Sequence, residues 1–196
     1  MERQTGVIIV AGGGGSRMGG ARPKQFMLLG GMPILARTIN NFAAALPGAE
    51  IVVVLPAEHT GFWHNLSARF EVAPHTVAEG GRERFHSVKN GLAALKRDPE
   101  LIAVQDGGYA EVSDDALRIV QTPQVFRAEL LRRAYETEYR PEFTDDASVV
   151  ELSGEAVFLC EGERANLKIT TPEDTVIAEA LLADREETHE TDGENI

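Results

Sequence analysis

Cysteine is scarce in this chain. Cys160 is the only cysteine among 196 residues, so no disulfide forms within the chain and no Cys-x-x-Cys metal site is present. Thiols without disulfide partners are typical of proteins from reducing compartments. We therefore expect a cytoplasmic protein whose fold depends on a hydrophobic core.

Positive charge is also scarce. The sequence has 19 Lys and Arg residues against 31 Asp and Glu residues, which gives a formal net charge of −12. The long-range field of such a chain repels nucleic acids and anionic membranes. We expect neither as a partner, although a local cluster of cations can still bind a phosphate compound.

Long hydrophobic runs are missing. The first apolar run, residues 7–10, is stopped by glycines and is far shorter than a signal-peptide core or a membrane span. Apolar residues make up 43% of the chain and charged residues 26%, as in ordinary globular proteins. The five histidines share no metal-ligand spacing, and we assign none of them a catalytic role. A chain of this length can form one well-packed α/β domain.

Short β-branched runs alternate with helical patterns along the chain. This alternation predicts a three-layer α/β fold with a mostly parallel sheet. The predicted strands are residues 7–10, 51–55, 76–78, 101–104 and 157–160. The predicted helices are residues 34–45, 62–70, 87–95, 128–135, 148–152 and 175–182, with a turn at 122–126. One domain is expected over residues 1–183, followed by an acidic disordered tail from Asp184.

A glycine loop directly follows the first predicted strand. Residues 12–15 are all glycine, and two cations come shortly after them. Glycines let backbone N–H groups approach a polyphosphate, and nearby cations neutralise it. The loop lacks the Gly-Lys-Ser/Thr ending of a P-loop and the dinucleotide Gly-x-Gly-x-x-Gly spacing, so a plain turn remains the alternative. The predicted phosphate site consists of Ala11, Gly12, Gly13, Gly15, Arg17 and Lys24.

Other candidate residues lie near the ends of predicted strands and the starts of helices. Asp106 follows a buried strand and suits Mg²⁺, although a loop aspartate that only makes hydrogen bonds is the alternative. Ser87 lies at a helix start, where it could contact a base or sugar or simply cap the helix. Lys168 precedes the last helix and could also be an ordinary solvated lysine.

Six ordered blocks of sequence between residues 6 and 182 carry a family resemblance. The blocks are Arg17-Met18-Gly19 after the glycine loop, Pro23-Lys24-Gln25-Phe26, Gly80-Gly81-x-x-Arg84-x-x-Ser87-Val88-x-x-Gly91-Leu92, Gln121-Thr122-Pro123-Gln124-x-Phe126, Thr144-Asp145-Asp146-Ala147 and Asn166-x-Lys168-Ile169-Thr170-x-Pro172-x-Asp174. With them the chain resembles the 2-C-methyl-D-erythritol 4-phosphate cytidylyltransferases of the non-mevalonate isoprenoid pathway.

The resemblance implies a Rossmann-like nucleotidyltransferase fold and transfer of CMP from CTP to a sugar-alcohol phosphate, with release of pyrophosphate. It also implies Mg²⁺ as cofactor and a homodimer. Positioning and charge compensation suffice for such a reaction, because one anion attacks another and no protein nucleophile is required. The implied roles are charge stabilisation by Arg17 and Lys24, cytidine binding by Gly81, Arg84 and Ser87, Mg²⁺ binding by Asp106, and orientation of the acceptor phosphate by Lys168.

The chain departs from this family after the strand that ends near Asp106. The family usually reads His-Asp-x-x-Arg-Pro, whereas here Gln105 precedes the aspartate and Tyr109 replaces the arginine. Only residues 111–120 stand where such proteins have a helix, a strand and an arm that reaches the partner subunit. The arginine that the arm supplies aligns with Asp114. An internal deletion, a sequence record closed over a missing segment, and a degenerate relative are the three explanations.

Two other functions remain as alternatives. A ribitol-5-phosphate cytidylyltransferase would share the nucleotide site and differ only in its acceptor. A non-catalytic CTP-binding relative would fit Tyr109 and the missing arm arginine. If the short junction is literal, we expect CTP binding with little turnover.

Overall fold

The computed structural model describes residues 4–13, 23–105, 120–163 and 165–193. The strands in these ranges are β1 (Thr5–Val10), β2 (Leu28–Leu29), β3 (Met32–Pro33), β4 (Glu50–Leu55), β5 (Thr76–Glu79), β6 (Leu101–Gln105) and β7 (Gln124–Arg127). The α-helices are α1 (Ile34–Ala45), α2 (Ala57–Ser67), α3 (Arg84–Ala94), α4 (Ala128–Ala134), α5 (Asp146–Leu152) and α6 (Pro172–Gly193). A short 3-10 helix spans Lys24–Phe26.

The chain divides into two compact units. The first unit contains Met1–Gly12 and Ala36–Cys160, and the second contains Gly13–Leu35 and Glu161–Ile196. The cytidylyltransferase domain expected over residues 1–183 spans both units and stays a prediction.

A five-stranded sheet forms the centre of the first unit. Its strand order is β5-β4-β1-β6-β7, with β7 antiparallel to β6 and the other neighbours parallel. Consecutive residues Val7, Ile8 and Ile9 are all buried. Since successive side chains of a strand point to opposite faces, the sheet is covered on both sides. The prediction of a mostly parallel sheet in a layered α/β fold is confirmed.

Helix α3 lies unusually close to this sheet. A Cβ atom placed on Gly91 would come within 2.6 Å of Ile8 Cγ2 and 3.0 Å of Val54 Cγ2. Real Cβ atoms essentially never approach that closely, so any side chain at Gly91 would push α3 away from β1 and β4.

Two sequence predictions for the first unit are wrong. The sequence predicts only a turn at residues 122–126, but Gln124 starts β7, which pairs with β6. It predicts a strand at residues 157–160, yet these residues have no strand partner among the described residues and the Phe158 side chain is 86% exposed. Apolar composition alone does not form a strand, because the backbone needs a neighbour with which to pair.

The predicted helices agree with the structure except at their ends. Helix α1 has the predicted bounds, whereas α2 begins at Ala57 rather than at residue 62. Helix α6 continues to Gly193, in place of the disordered tail expected from Asp184. The segment after Asp184 is rich in glutamate, which favours helix even without an apolar face.

A small hairpin in the second unit is absent from the sequence prediction. Strands β2 and β3 pair antiparallel, with Leu29 opposite Met32. The two residues between them are Gly30 and Gly31, with φ angles of 54° and 76°. Positive φ at both central positions is what a tight two-residue hairpin turn requires, and glycine adopts it without strain. Helix α6 contacts β2.

Candidate active site

The carboxyl end of β4 joins two of the predicted site segments. The carbonyl oxygen of Val54 accepts a hydrogen bond from the backbone N–H of Ala11 at 2.9 Å, and that of Leu55 accepts one from Gly80 at 2.8 Å. The start of the glycine loop and the turn before α3 therefore lie at one edge of the sheet. Open parallel sheets bind their ligands at this edge.

The turn from Gly80 to Ser87 is closed by a serine hydroxyl. The Gly81 N–H donates to Ser87 Oγ at 3.0 Å, and that hydroxyl in turn donates to the carbonyl oxygen of Glu83 at 3.2 Å. A Cβ atom on Gly81 would lie 2.2 Å from His86 Cβ, so only glycine fits there. The structure thus brings Gly81 and Ser87 together, as their predicted common role requires.

The exposed glycines after β1 leave open space. A Cβ atom on Gly12 would meet only Pro56 Cδ, at 3.9 Å, and one on Gly13 would meet nothing within 4 Å. Gly12 belongs to the first unit and Gly13 to the second. Among the residues that the structure describes, no packed atom requires glycine at either position, so the predicted role of their backbone in phosphate binding stays a prediction.

Arg84, the first residue of α3, forms an ion pair with the carboxylate of Asp146. Asp146 is completely buried, and its other oxygen accepts a hydrogen bond from the Tyr135 hydroxyl at 2.5 Å. Burial and the neighbouring Asp146 carboxylate raise the pKa of Tyr135, so its hydroxyl remains a donor at neutral pH. The buried charge of Asp146 is thus held by a cation and by a hydroxyl donor.

Gln124 connects the first turn of α5, where Asp146 lies, to β7. Its side-chain oxygen accepts hydrogen bonds from the backbone N–H groups of Asp146 at 3.1 Å and Ala147 at 3.0 Å. Its amide nitrogen donates to Asp145 at 2.6 Å. Asp145 caps α5 in a capping box with Ser148.

In the second unit, the structure brings Lys24 next to the segment that carries Lys168. The Lys24 ammonium donates to the carbonyl oxygen of Ile169 at 2.7 Å. The following backbone is fixed by the Asp174 carboxylate, which accepts from the N–H groups of Thr170 and Thr171, each at 2.8 Å. The sequence predicts both lysines as catalytic cations, and both side chains are half-buried.

The backbone hydrogen bonds from Thr171 and Thr170, together with the Lys24 charge, hold the pKa of Asp174 below its ordinary value. The carboxylate therefore stays ionised at neutral pH, and it caps the start of α6.

Some predicted residues lie outside the described residues, namely Gly15, Arg17 and Asp106, together with Tyr109 and Asp114 of the junction. Within the part of the chain that the structure describes, no group of three or more His, Cys, Asp or Glu side chains could hold a metal ion. The helices described there are too short or too polar to cross a membrane.

The sequence interpretation assigns no role to Gln124, Tyr135, Asp146 or Asp174. Arg84 and Asp146 are 62 positions apart, so no local pattern connects them. Both carboxylates nevertheless lie in blocks that carry the family resemblance. Their place inside these blocks is the sequence signal that could have drawn attention to them.

Comparisons with known proteins identify the family of the chain. The family model IspD, 2-C-methyl-D-erythritol 4-phosphate cytidylyltransferase, matches residues 5–116 and 110–184. The chain is similar to the 2-C-methyl-D-erythritol 4-phosphate cytidylyltransferase of Phocaeicola vulgatus, with 42% identity over 216 residues that cover 90% of this chain and 98% of the relative.

Solved structures show the same fold. The chain is similar to the 2-C-methyl-D-erythritol 4-phosphate cytidylyltransferase from Thermus thermophilus, with 28% identity, a TM-score of 0.61, and coverage of 92% of this chain and 98% of that one. The 4-diphosphocytidyl-2C-methyl-D-erythritol synthase from Anaerococcus prevotii gives a TM-score of 0.69 at 23% identity, over 93% of this chain and 97% of that chain. The predicted nucleotidyltransferase fold is confirmed, and the chain belongs to the 2-C-methyl-D-erythritol 4-phosphate cytidylyltransferase family.

Proposed function

We propose that this chain transfers CMP from CTP to 2-C-methyl-D-erythritol 4-phosphate and releases pyrophosphate. An oxygen of the acceptor phosphate attacks the α-phosphorus of CTP and forms a new P–O bond. The bond from the α-phosphorus to the bridging oxygen breaks, and its electron pair leaves with pyrophosphate. The family match over nearly the whole chain supports this reaction.

The observation that carries the proposal is the hydrogen bond from Lys24 to the carbonyl oxygen of Ile169, at 2.7 Å. It holds one cation beside the backbone that carries Lys168. Two anions must meet in this reaction, and negative charge grows on the α-phosphate, so fixed cations lower the barrier by electrostatic stabilisation. In the proposal, Lys24 and Arg17 stabilise the attacked phosphate and Lys168 orients the acceptor phosphate.

The nucleoside half of CTP is assigned to the turn before α3. Gly81 is exposed and Ser87 is buried beneath it, so the hydroxyl fixes the backbone that faces a ligand. Backbone groups held in this way can form hydrogen bonds to the edge of a base with little further loss of conformational entropy on binding. Ala11, Gly12, Gly13 and Gly15 offer backbone N–H groups to the phosphates in the same proposal.

Mg²⁺ is proposed as the cofactor, held by Asp106 after the end of β6. A single carboxylate suits Mg²⁺, which keeps several waters and bridges to substrate phosphates. When bound, the ion would neutralise charge on the triphosphate.

The activity of this chain depends on its short junction. The alignment with the Phocaeicola vulgatus relative runs over 216 residues, more than the 196 residues of this chain. The two matched stretches of the family model overlap at residues 110–116. These extents support the proposal that the segment between 110 and 120 is shortened. We therefore propose slow turnover with intact CTP binding. The further proposal of a cytoplasmic homodimer rests on the family resemblance and on the reducing environment that a single cysteine suggests, and not on these extents.

Pyrophosphate release tests the proposed reaction. The chain is mixed with CTP and Mg²⁺ and with either 2-C-methyl-D-erythritol 4-phosphate or ribitol 5-phosphate, and CTP binding is measured in parallel by calorimetry. Release with the first acceptor supports the proposal, and release with ribitol 5-phosphate alone supports the alternative acceptor. CTP binding without release from either acceptor identifies a non-catalytic relative.

A matched pair of lysine variants makes the test specific. Lys24→Met is expected to lower the rate of pyrophosphate release by about 10²-fold or more, the usual effect of removing one transition-state donor. Lys96→Met removes an exposed lysine of the first unit and is expected to leave the rate unchanged. Equal rates for the two variants would contradict the role of Lys24.

A further inference from the structure

We propose that Asp146 is a positioning residue for nucleotide binding and acts through Arg84 on the turn that begins α3. The inference rests on the proposed function, because it concerns how the nucleoside part of that site is held. It adds a buried residue to the site that contacts no substrate itself.

The position of Asp146 is fixed by its surroundings. Its side chain is completely buried, and one carboxylate oxygen accepts from the Tyr135 hydroxyl at 2.5 Å. Its backbone N–H donates to Gln124 at 3.1 Å, and the preceding Asp145 accepts from the Gln124 amide at 2.6 Å. The backbone of Asp146 is therefore anchored to β7, and its carboxylate is anchored to Tyr135, the residue that follows α4.

Arg84 is the first residue of α3, and its guanidinium is held in place by the Asp146 carboxylate. Its side chain is 25% exposed, so the guanidinium is shielded on the side of Asp146 and still reaches the surface. Arg84 lies between Gly81 and Ser87 in the sequence, and these two residues are joined by a hydrogen bond. A guanidinium held by a buried carboxylate thus fixes the helix start that carries Arg84 itself and lies between the other two predicted nucleoside contacts, Gly81 and Ser87.

The carboxylate is needed at this position, and an amide is a poor replacement. One oxygen of Asp146 accepts from Tyr135 and the other accepts from Arg84. An asparagine has one accepting oxygen, and its NH₂ group would face either a hydroxyl donor or a guanidinium. Asp146→Asn therefore keeps the size of the side chain and breaks one of the two contacts.

The test compares CTP affinity between the wild type and its variants, measured by calorimetry with CTP and Mg²⁺. Asp146→Asn is expected to weaken CTP binding by about tenfold, the effect of losing one charge-assisted hydrogen bond. Its KM for the acceptor is expected to stay unchanged. Trp63→Phe is the matched control, because it removes a half-buried hydrogen bond to His75 in the same unit, 3.0 Å long, and should leave CTP affinity unchanged.

A double-mutant cycle shows whether Asp146 acts through Arg84. In an Arg84→Gln background, Asp146→Asn is expected to cause no further loss of CTP affinity, because the contact it would break is already gone. Tyr135→Phe leaves the carboxylate charge in place and is expected to weaken CTP binding by about threefold. If the Asp146→Asn variant does not fold, the CTP affinity of Tyr135→Phe is the measurement that tests the inference.

Each outcome has a distinct meaning. Wild-type affinity for CTP in the Asp146→Asn variant, or in Tyr135→Phe when the first variant is unfolded, overturns the inference alone. Equal losses in Trp63→Phe and Asp146→Asn also overturn it, since a general loss of stability would then explain both. Failure of the wild-type chain to bind CTP overturns the proposed function and the inference with it.

Discussion

Gly81→Ala is the substitution that most directly tests whether the turn from Gly80 to Ser87 binds the nucleoside part of CTP. The added methyl group would lie 2.2 Å from Cβ of His86 and 2.9 Å from the carbonyl carbon of His86. Neither atom is the free end of a flexible side chain, so the backbone at Gly81 must move. The movement stretches the 3.0 Å hydrogen bond from the Gly81 N–H to Ser87 Oγ.

The expected loss of stability follows from these two effects. Overpacking of a tight site costs about 1–3 kcal/mol, and loss of one hydrogen bond costs about 1 kcal/mol. A total of about 2–4 kcal/mol lowers Tm by about 5–15 °C for a domain of this size. We expect CTP affinity to fall by at least about tenfold, because the turn that is proposed to contact the nucleoside no longer has its original backbone path.

Gly61→Ala provides the matched control. Gly61 lies within α2, and a Cβ atom there would meet nothing within 4 Å. Alanine is a better helix former than glycine, so this variant is expected to gain about 0.5–1 kcal/mol and to bind CTP like the wild type. Calorimetry and thermal unfolding measure both variants. A Gly81→Ala chain with wild-type CTP affinity would refute the assignment of this turn to the nucleotide.

Three further predictions concern other parts of the molecule. Lys168→Gln is expected to raise KM for the acceptor by about tenfold without changing CTP affinity, as measured by initial rates at varied acceptor concentration. An unchanged KM for the acceptor with weakened CTP binding would contradict the role of Lys168. The pKa of Asp174 is lowered from 3.8 chiefly by the backbone N–H of Thr171, so its carboxylate stabilises the fold above that pH and loses this effect as pH falls through the lowered pKa. The difference in Tm between wild type and Asp174→Asn is therefore expected to be constant from about pH 6 to 8 and to shrink on acidification below about pH 4; growth of the difference would contradict the assignment. Phe158→Ser is expected to change Tm by less than about 2 °C, because the side chain is 86% exposed, and a larger loss would mean that the side chain is covered in solution.

The sheet could be predicted from the sequence because its central strands are buried on both faces. β1 and β4 are runs of β-branched residues, which few other structures accommodate. The sequence prediction misses β7 because Pro123 indicates a turn, although the strand after it alternates buried and exposed residues with the expected period of two. The error at residues 157–160 is the reverse, because an apolar run predicts a strand there without evidence of a partner.

The candidate site could be predicted only where its residues lie in local motifs. Gly81 and Ser87 are six positions apart, and their hydrogen bond belongs to one turn. Lys24 and Ile169 are 145 positions apart, so their contact depends on the tertiary fold. The buried partners of Arg84 escape prediction for the same reason, since nothing in the sequence around Asp146 shows that a guanidinium faces it.

The close packing at Gly91 has a consequence for the kinetics of nucleotide binding. Ile8 and Val54 pack directly against Gly91, so α3 cannot shift toward the sheet without a steric clash. If the nucleotide binds at the first turn of this helix, as proposed, we expect no separate kinetic step in which the helix adjusts to it. Rapid-mixing traces would then show a single phase whose rate rises linearly with nucleotide concentration and never levels off.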